Sequence, residues 1–359
     1  MKAAVCRAFG APLSIEDITI AEPGPDEVLV KMTAVAICHS DITYIDGGWG
    51  GDLPAVFGHE GAGIVESVGA GVASPAVGDN VVVTLIRSCG ECHGCSIGQP
   101  VRCSAQFPLD AVSPLADGDG NSLGHGLRTA AFAEYTLVHK SQLVVVPSSL
   151  PKEAAALLAC GVITGFGAVT NTAQVPAGAD VVVIGVGGVG LNSVQAAKLA
   201  GARTVTAVDL IDSKLEAART FGATNTVNSR TDNVGTAVRE ITDGRGADFV
   251  FVTVGAKAAF DQSYELLALG GAMVIVGMPP TGVNTEIDPG TIAAMSQRIL
   301  GSKMGSARIQ VDIPMLTALY EQDRLLLDEL ISGRYELSEI NEAISSVKAG
   351  AALRNVIVF

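Results

Sequence analysis

Four of the seven cysteines are grouped closely enough to hold one metal ion. They are Cys89, Cys92, Cys95 and Cys103. Four thiolates complete the tetrahedral coordination of Zn²⁺ and leave no position open for a substrate, which is typical of a structural site. An iron–sulfur or redox cluster is the alternative that the same residues allow. His93 lies inside the group and is expected to be an exposed loop residue, because four thiolates already fill the metal.

A second set of metal-binding residue types is scattered along the chain. Cys38 opens the sequence Cys-His-Ser-Asp, His59 lies in a Gly-His-Glu triplet, and Cys160 precedes a glycine. Two thiolates and one imidazole leave a fourth position for water or substrate, as catalytic zinc requires. Spacing alone does not join these three residues, and each is equally compatible with an ordinary buried side chain. Cys6 is expected to be a small core residue in the first strand.

A glycine-rich segment has the sequence context of a dinucleotide site. Gly185-Val-Gly-Gly-Val-Gly190 follows the apolar run 181–184 and opens a helical stretch. Gly185 allows a tight turn, Gly187 the approach of backbone to pyrophosphate, and Gly190 close packing of helix on strand. Asp209 ends the next predicted strand, where a carboxylate accepts hydrogen bonds from ribose hydroxyls and repels a 2′-phosphate. The pattern predicts NAD rather than NADP, against the alternative of a doubly wound protein that binds no nucleotide.

This segment lies in a region where predicted strands and helices alternate. Strands are predicted at 181–184, 204–208, 226–227, 248–254 and 272–276, and helices at 189–199, 213–221, 234–241 and 258–269. Continuous apolar runs are expected of parallel strands that are covered on both faces. The alternation predicts an open parallel sheet with right-handed crossovers.

The regions on either side have a different pattern. Residues 1–160 are predicted to be β-rich, with alternating runs such as 27–33, and 114–126 is predicted to be a surface loop. Helices are predicted at 314–320 and 338–348, and a final strand at 355–359. This C-terminal segment is expected to rejoin the first domain.

The composition excludes several functional classes. A chain of 359 residues is long enough for two domains. The net charge of −14 without a basic patch argues against nucleic acid as a partner, and the aromatic content of 4% disfavours stacking platforms for single strands. Neither an apolar run of about 18 residues nor a secretory signal pattern is visible, so a soluble cytoplasmic protein with no membrane partner is expected.

Together these motifs resemble those of the zinc-containing alcohol dehydrogenases of the medium-chain dehydrogenase/reductase superfamily, over nearly the whole chain. The resemblance is carried by 38–41, 58–66, the four cysteines from 89 to 103, 160–165, 185–190 and Asp209. It implies an α/β fold with a doubly wound parallel-sheet (Rossmann) coenzyme domain and a β-rich, partly open barrel-like (GroES-like) catalytic domain. The implied bounds are 1–161 and 303–359 for the catalytic domain and 162–302 for the NAD-binding domain.

The resemblance also assigns roles around the catalytic metal. It joins Cys38, His59 and Cys160 as ligands of a catalytic zinc, with Glu60 as an alternate ligand, so that two zinc ions per chain are expected. Ser40 corresponds to the hydroxyl that hydrogen-bonds the zinc-bound alcohol and passes on its proton. Asp41 corresponds to an acid that orients the ligand histidine.

Further residues are implied for coenzyme binding. His39 and Arg354 correspond to positions near the pyrophosphate, Thr164 to one against the nicotinamide, and Lys214 to one on the ribose. The full expected set is Gly185, Gly187, Gly188, Val189, Gly190, Asp209, Lys214, Thr164, Val254 and Arg354.

The implied activity is reversible hydride transfer between an alcohol and NAD through a zinc-bound alkoxide, giving an aldehyde or ketone. Trp49, Leu85 and Met278 are expected to line the substrate pocket, whose bulk suggests a medium-sized primary or aromatic alcohol. Segment 298–303 resembles a strand that pairs across a dimer, so a homodimer or homotetramer is expected.

Two departures from the family pattern stand out. Residues 42–44 read Ile-Thr-Tyr, without the histidine that often ends the proton relay, and 47–52 does not carry a convincing acidic glutathione-reading loop. Two rival functions remain open at this stage, a zinc-free NADPH quinone reductase and a non-enzymatic binding protein. The cysteine pattern argues against the first, and the intact ligand set argues against the second.

Overall fold

The computed structural model describes residues 1–359, and the chain divides into two compact units. Met1–Gly161 and Arg308–Phe359 form the first unit, and Val162–Ala307 forms the second. The sequence prediction placed 303–307 with the C-terminal segment, whereas these residues lie in the second unit. There the backbone packs so closely that a side chain on Gly167 would collide with the carbonyl of Gly305, and a side chain on Gly305 would collide with the carbonyl of Ile163.

Short strands dominate the first unit, and strands alternate with helices in the second. The strands are β1 Lys2–Cys6, β2 Ser14–Asp17, β3 Thr19–Ile20, β4 Glu27–Ala36, β5 Ala55–Val56, β6 Glu60–Val68, β7 Asn80–Thr84, β8 Leu115–Ala116, β9 Ser122–His125, β10 Tyr135–His139, β11 Leu143–Val145, β12 Asp180–Ile184, β13 Thr204–Asp209, β14 Asn225–Asn228, β15 Ala247–Val252, β16 Leu267–Ile275, β17 Arg298–Gly301, β18 Ile331–Tyr335 and β19 Arg354–Val358. The α-helices are α1 His39–Ile45, α2 His93–Ser96, α3 Pro108–Ala111, α4 Lys152–Leu157, α5 Ile163–Gly167, α6 Gly188–Leu199, α7 Asp212–Thr220, α8 Val234–Ile241, α9 Lys257–Ser263, α10 Pro289–Ala294, α11 Ile309–Glu321 and α12 Ile340–Lys348.

The first unit contains two sheets. One has the order β2-β1-β5-β9-β8-β3, and the other has the order β11-β7-β6-β4-β19-β18, with β10 also pairing with β4. Strand β4 pairs antiparallel with β6, β10 and β19, so the C-terminal strand completes a sheet that begins near the N-terminus. Ile340 and Ile344 of α12 share a buried core with Val28 and Val30 of β4. This β-rich half-barrel is the GroES-like architecture that the resemblance implies.

The second unit contains one parallel sheet of six strands in the order β14-β13-β12-β15-β16-β17. Counted within the unit, this is the order 3-2-1-4-5-6 of dinucleotide-binding doubly wound folds, with its switch point between β12 and β15. Every residue of β12 is buried, as its continuous apolar run indicates. The predicted fold class is therefore confirmed.

Apart from shifted helix ends, such as that of α11, which begins at Ile309 rather than at 314, two predicted elements differ in the structure. Segment 114–126 is not only a loop, because Leu115 and Leu123 are buried and pair across an antiparallel hairpin, β8–β9, whose turn is closed by Asp117. The helix predicted at 258–269 ends earlier, because Leu267 and the residues after it extend along β15 instead. In both places pairing with a neighbouring strand outweighs local pattern.

One stretch of the chain is apolar enough to resemble a membrane span. The helical run Lys152–Ala173 has the length and hydropathy of such a span, but 89% of its most apolar window is buried inside the protein. Burial of this kind is typical of a core helix.

Candidate metal centres and coenzyme site

The register of two strands brings distant residues of the predicted catalytic site together. In the antiparallel pair β4–β6, Ala36 at the end of β4 lies opposite Glu60 at the start of β6. The chain therefore leaves β4 through Cys38 at the place where it enters β6 through His59. Gly58 has φ +92, and a side chain there would strike the backbone of Phe132. The turn before His59 thus favours glycine on both conformational and steric grounds.

The second cysteine of the set, Cys160, is carried by a helix that packs on the same two strands. Helix α4 contacts both β4 and β6 and continues into a π-helical turn, Leu158–Val162, that carries Cys160. Such turns often occur at functional sites. One candidate ligand atom each from Cys38, His59, Glu60 and Cys160 lies within 4.8 Å of all the others, and all four residues are buried. The structure thus brings together the four residues that spacing alone could not join.

Asp41 organises this cluster from the first turn of α1. The carboxylate is fully buried and accepts hydrogen bonds from the backbone N–H groups of Cys38 at 3.1 Å and Gly58 at 3.0 Å. It also lies 2.8 Å from Nδ1 of His59. Burial opposes a charge on His59, but the Asp41 carboxylate outweighs it, so the pKa of the imidazole lies well above its ordinary value. One side chain therefore fixes the backbone of one candidate ligand and the ring of another.

Glu60 carries a second buried ion pair. Its Oε2 accepts from the guanidinium of Arg354, the first residue of β19, which lies alongside the end of β4. Burial raises the pKa of Glu60 to about 8, although the positive charge of Arg354 acts in the opposite direction. The resemblance implies a position near the coenzyme pyrophosphate for Arg354, and in the structure its side chain is 6% exposed and pairs with Glu60.

The donor atoms of the cluster fit a thiophilic divalent metal. Nε2 of His59 and Oε1 of Glu60 are buried and have no hydrogen-bond partner, so each has a lone pair or proton position that the protein leaves unused. A hydrogen bond between the two thiols lowers the pKa of Cys38 well below its ordinary value and raises that of Cys160. Two sulfurs, one imidazole and an exchangeable carboxylate are a donor set that Zn²⁺ prefers.

The other candidate metal site is built from one short segment. Atoms Sγ of Cys89, Cys92, Cys95 and Cys103 lie within 4.8 Å of one another, and all four side chains are half-buried. Backbone N–H groups of Cys95 and Ser104 lower the pKa of Cys92 to about 6, whereas burial raises that of Cys95 to about 11. His93 begins the one-turn helix α2 and is exposed, in line with its predicted position outside the ligand set.

The glycine-rich turn of the second unit has the geometry of a phosphate-binding turn. Gly185 has φ +87, and a side chain on Gly190 would overlap the carbonyl of Gly185. A side chain on Gly187, by contrast, would meet nothing within 4 Å, so the backbone there stays accessible. Gly187 precedes α6, which begins with Gly188 and Val189 and has no side-chain cap, so its first N–H groups suit an anion.

The remaining predicted coenzyme residues of this unit are spread around that turn. Asp209 ends β13 and accepts from the backbone N–H groups of Val186 at 2.9 Å and Leu210 at 2.7 Å. Oδ1 also accepts from the backbone N–H of Ile211 at 3.1 Å, so Oδ2 is the oxygen that keeps a lone pair for a ribose hydroxyl. The side chain of Val254 lies so close to Gly185 that a side chain on this glycine would overlap it. Lys214 lies in the first turn of α7, and Thr164 lies in α5, where its hydroxyl is 3.8 Å from Sδ of Met304.

The predicted relay and pocket residues of the first unit lie on or near α1. Ser40 is half-buried in the first turn and His39 is exposed. The hydroxyl of Thr43 donates to the carbonyl of His39 at 2.9 Å. Leu85 and Trp49 are half-buried in this unit, and Met278 is 66% exposed in the other.

Two features were not found by sequence reasoning. The contact of Asp41 with His59 was expected, but its hydrogen bonds to the backbone of Cys38 and Gly58 were not, and neither was the buried Arg87 in front of the four-cysteine segment. An isolated arginine before Cys89 carries no sequence signal, because nothing in the pattern distinguishes it from a surface residue.

Comparison with known proteins identifies two matching family models along the chain. The family described as zinc-binding dehydrogenase matches residues 188–320, and the alcohol dehydrogenase GroES-like domain matches 24–148. The NDMA-dependent alcohol dehydrogenase of Amycolatopsis methanolica is 36% identical over 99% of this chain and 98% of its own.

Two solved structures share the whole fold. Benzyl alcohol dehydrogenase of Acinetobacter calcoaceticus has a TM-score of 0.93 at 35% identity and is covered over 99% of its chain, with 100% of this one. A structure from Sinorhizobium meliloti 1021 that is bound to NADP has a TM-score of 0.84 at 29% identity, again over 100% of this chain and 99% of the other.

Proposed function

This chain belongs to the zinc-binding alcohol dehydrogenases of the medium-chain dehydrogenase/reductase superfamily, and we propose that it transfers a hydride reversibly between an alcohol and NAD, giving an aldehyde or ketone. One observation carries the proposal. Candidate ligand atoms of four buried residues lie within 4.8 Å of one another, and these residues are Cys38, His59, Cys160 and Glu60. A purely structural site would close its coordination with four strong donors, whereas this one includes a carboxylate already paired with Arg354.

We propose that Cys38, His59 and Cys160 hold the catalytic zinc, with Glu60 as an alternate ligand. When bound, zinc acts as a Lewis acid on the substrate oxygen and lowers the pKa of its hydroxyl group. Asp41 keeps Nδ1 of His59 occupied, so that Nε2 is the nitrogen directed at the metal. The four cysteines from 89 to 103 are proposed to hold a second, structural zinc.

Proton removal is proposed to begin at Ser40. This residue follows Cys38 by two positions in the first turn of α1 and is half-buried, which suits a hydroxyl that receives a proton beside the ligand set. The neighbouring Thr43 already donates to a backbone carbonyl, so it is a poor next acceptor. Because 42–44 contains no histidine, we propose that the proton leaves through a coenzyme ribose hydroxyl and solvent, with exposed His39 as the second candidate.

The proposed substrate class is a medium-sized primary or aromatic alcohol. Three aromatic rings support it: Trp49 meets Tyr44 edge-on at 5.1 Å, and Tyr44 stacks on Phe57 at 5.8 Å. Tyr44 belongs to the same helix as Ser40, and Phe57 precedes His59 by two residues. Aromatic faces and edges attract an aromatic substrate. The likeness to a benzyl alcohol dehydrogenase points the same way.

NAD is proposed as the coenzyme because Asp209 stands at the end of β13 beside the glycine-rich turn. Its negative charge would repel the 2′-phosphate of NADP. One relative binds NADP, so the preference needs a direct test. Replacing Asp209 with glycine should weaken NAD binding and admit NADP, and equal use of both coenzymes by the native enzyme would contradict the role of Asp209.

Assembly and location are also proposals. None of the seven cysteines forms a disulfide, which suits a reducing compartment such as the cytoplasm. The parallel sheet of the second unit ends at β17, whose outer edge suits pairing with a second copy in a homodimer or homotetramer. Light scattering coupled to size-exclusion chromatography would distinguish these states from a monomer.

The function is tested by metal analysis together with NADH absorbance on a panel of primary, secondary and aromatic alcohols. We expect two zinc ions per chain and NAD reduction that is fastest with a primary aromatic alcohol. A zinc-free protein that oxidises NADPH with a quinone would support the reductase alternative. A protein that holds zinc and coenzyme but turns over no alcohol would support a binding role.

A further inference from the structure

A buried arginine lies at the base of the four-cysteine segment. The side chain of Arg87 is 0% exposed, although it stands only two residues before Cys89. Charged side chains are almost never fully buried unless they are paired. A fully buried guanidinium at this position therefore calls for an explanation from the residues around it.

The contacts of Arg87 join the two ends of the segment. Its guanidinium donates to the carboxylate of Asp110 and lies over the ring of Phe107, 4.3 Å from the ring centroid. Asp110 also accepts from the backbone N–H of Phe107 at 3.0 Å. Phe107 and Asp110 follow Cys103 closely in sequence, and Arg87 comes just before Cys89. The first and last cysteines are thus held together by contacts outside the cysteines themselves.

The start of the segment is anchored on its other side as well. The backbone N–H of Ser88 donates to the hydroxyl of Ser141 at 3.0 Å. That hydroxyl lies 2.8 Å from Nδ1 of His139, and the ring of His139 packs edge-on against Phe107 at 4.8 Å. Ser88, Ser141 and His139 therefore support the same aromatic ring over which Arg87 lies.

Charge provides a second reason for the arginine. Four thiolates around a divalent ion carry excess negative charge, and a buried cation nearby offsets it more strongly than it would in water. Nε and Nη1 of Arg87 are buried without a hydrogen-bond partner, so the single carboxylate does not exhaust its donors.

We propose that Arg87 is a positioning residue for the structural metal: its contacts with Phe107 and Asp110 hold the ends of the four-cysteine segment in the binding geometry and slow the release of the ion. The inference rests on the proposed function insofar as the four cysteines must hold zinc. It goes beyond that function by assigning the retention of this zinc to a residue that is not a ligand.

The test is the rate at which the zinc-loaded enzyme releases metal to a chromophoric chelator under native conditions. Two zinc sites give two release phases, and a Cys38→Ser protein identifies the phase that belongs to the four cysteines. In Arg87→Met we expect this phase to become about 10- to 100-fold faster, the usual effect of removing a residue that supports metal ligands. The phase of the buried site should not change. Cadmium-loaded protein should show an altered thiolate-to-cadmium charge-transfer band.

Arg128→Met is the matched control. Arg128 lies 3.8 Å from the same oxygen of Asp110, but its side chain is 47% exposed and it does not join the ends of the segment. We expect its release phases to match those of the native enzyme. If Arg87→Met does not fold, Asp110→Asn decides the question, because the Asp110 side chain is 31% exposed and the substitution removes the same pair.

Two outcomes overturn the role of Arg87. One is a folded Arg87→Met or Asp110→Asn protein with native release from the four cysteines. The other is equal acceleration of both phases, because that indicates a general loosening of the fold. A native enzyme that holds no metal at the four cysteines overturns the proposed structural zinc and the inference with it, whereas native retention without any effect of Arg87 overturns the inference alone.

Discussion

The two candidate metal sites of this enzyme both use cysteine sulfur, but they are built in different ways. The four-cysteine site draws all its donors from one half-buried segment between Cys89 and Cys103. The Cys38 site draws its donors from the end of β4, the start of β6 and a π-helical turn, and every donor residue is buried. One site is a local feature of the sequence, and the other exists only after the half-barrel has formed.

This difference matches the roles proposed for the two sites. A closed set of four thiolates can stabilise a segment, and backbone N–H groups lower the pKa of Cys92 within it. The distributed site includes the carboxylate of Glu60, and two buried charged residues, Asp41 and Arg354, contact its members. A site that must open for substrate would therefore draw its ligands from distant parts of the fold, whereas a site that must stay closed can draw all its ligands from one segment.

The substitution Cys38→Ser is expected to have the largest effect, and this effect should be confined to the activity and metal content of one site. Loss of the catalytic zinc removes several kcal/mol of charge stabilisation, so kcat/KM should fall by roughly 10³-fold or more. The fold should remain, because Asp41 and the β4–β6 pairing are untouched. Steady-state NADH formation measures the loss, and metal analysis should show one zinc per chain with the melting temperature little changed. An active Cys38→Ser enzyme would remove this residue from the catalytic site.

Cys95→Ser should produce the opposite pattern. Structural zinc contributes directly to folding, so this enzyme should lose one zinc and unfold at a lower temperature or denaturant concentration. The molecules that remain folded should keep kcat with the best alcohol, because no ligand of the Cys38 site changes. Thermal unfolding followed by circular dichroism, with activity per folded chain, separates the two effects. Native stability without the second zinc would show that the four-cysteine segment needs no metal.

Asp41→Asn tests whether the distributed site depends on its surroundings. The amide keeps the shape of the carboxylate but removes the charge that raises the pKa of His59 and orders the ring. Zinc affinity at this site should fall by about 10- to 100-fold, the usual effect of losing such a partner. Competition with a chelator of known affinity measures the change. The four-cysteine site is the internal control, and a parallel loss of both ions would point to unfolding instead.

Much of this architecture could be predicted from the sequence because its signals are local. The parallel sheet follows from apolar runs and helical stretches in alternation, and the four-cysteine site follows from spacing. The helix predicted at 258–269 was too long, because the apolar pattern of its final residues fits a helix and a strand equally well. Pairing with β15 decides the conformation of Leu267 onward, and that pairing cannot be read from a local window.

The buried site could be predicted only through resemblance to a family. What joins Cys38 to His59 is the pairing of Ala36 with Glu60, a property of strand register rather than of spacing. Register also explains Arg354: β19 lies antiparallel to β4, which brings the start of β19 beside Glu60. Long-range pairing of this kind leaves no local trace in the sequence.

The smallest effect is expected at the one cysteine that belongs to neither site. Cys6 ends β1, is 0% exposed, and its thiol donates to the carbonyl of Ala8 at 3.6 Å. Burial raises the pKa of this thiol, so it stays protonated and is a poor metal ligand and nucleophile. Cys6→Ala removes a single heavy atom from the core and should cost about 1 kcal/mol of stability, the typical effect of a point substitution.

Because Cys6 lies outside both ligand sets, the Cys6→Ala enzyme should keep two zinc ions per chain and native kcat/KM, and its only change should be a slightly lower denaturation midpoint. Metal analysis and denaturant titration check both expectations on one preparation. The variant matters because it tests the division of the cysteines by elimination. If Cys6→Ala caused the loss of an ion, the assignment of four cysteines to one site and two to the other would be wrong. One of the sites would then have to include Cys6, from the core of the half-barrel, as a ligand.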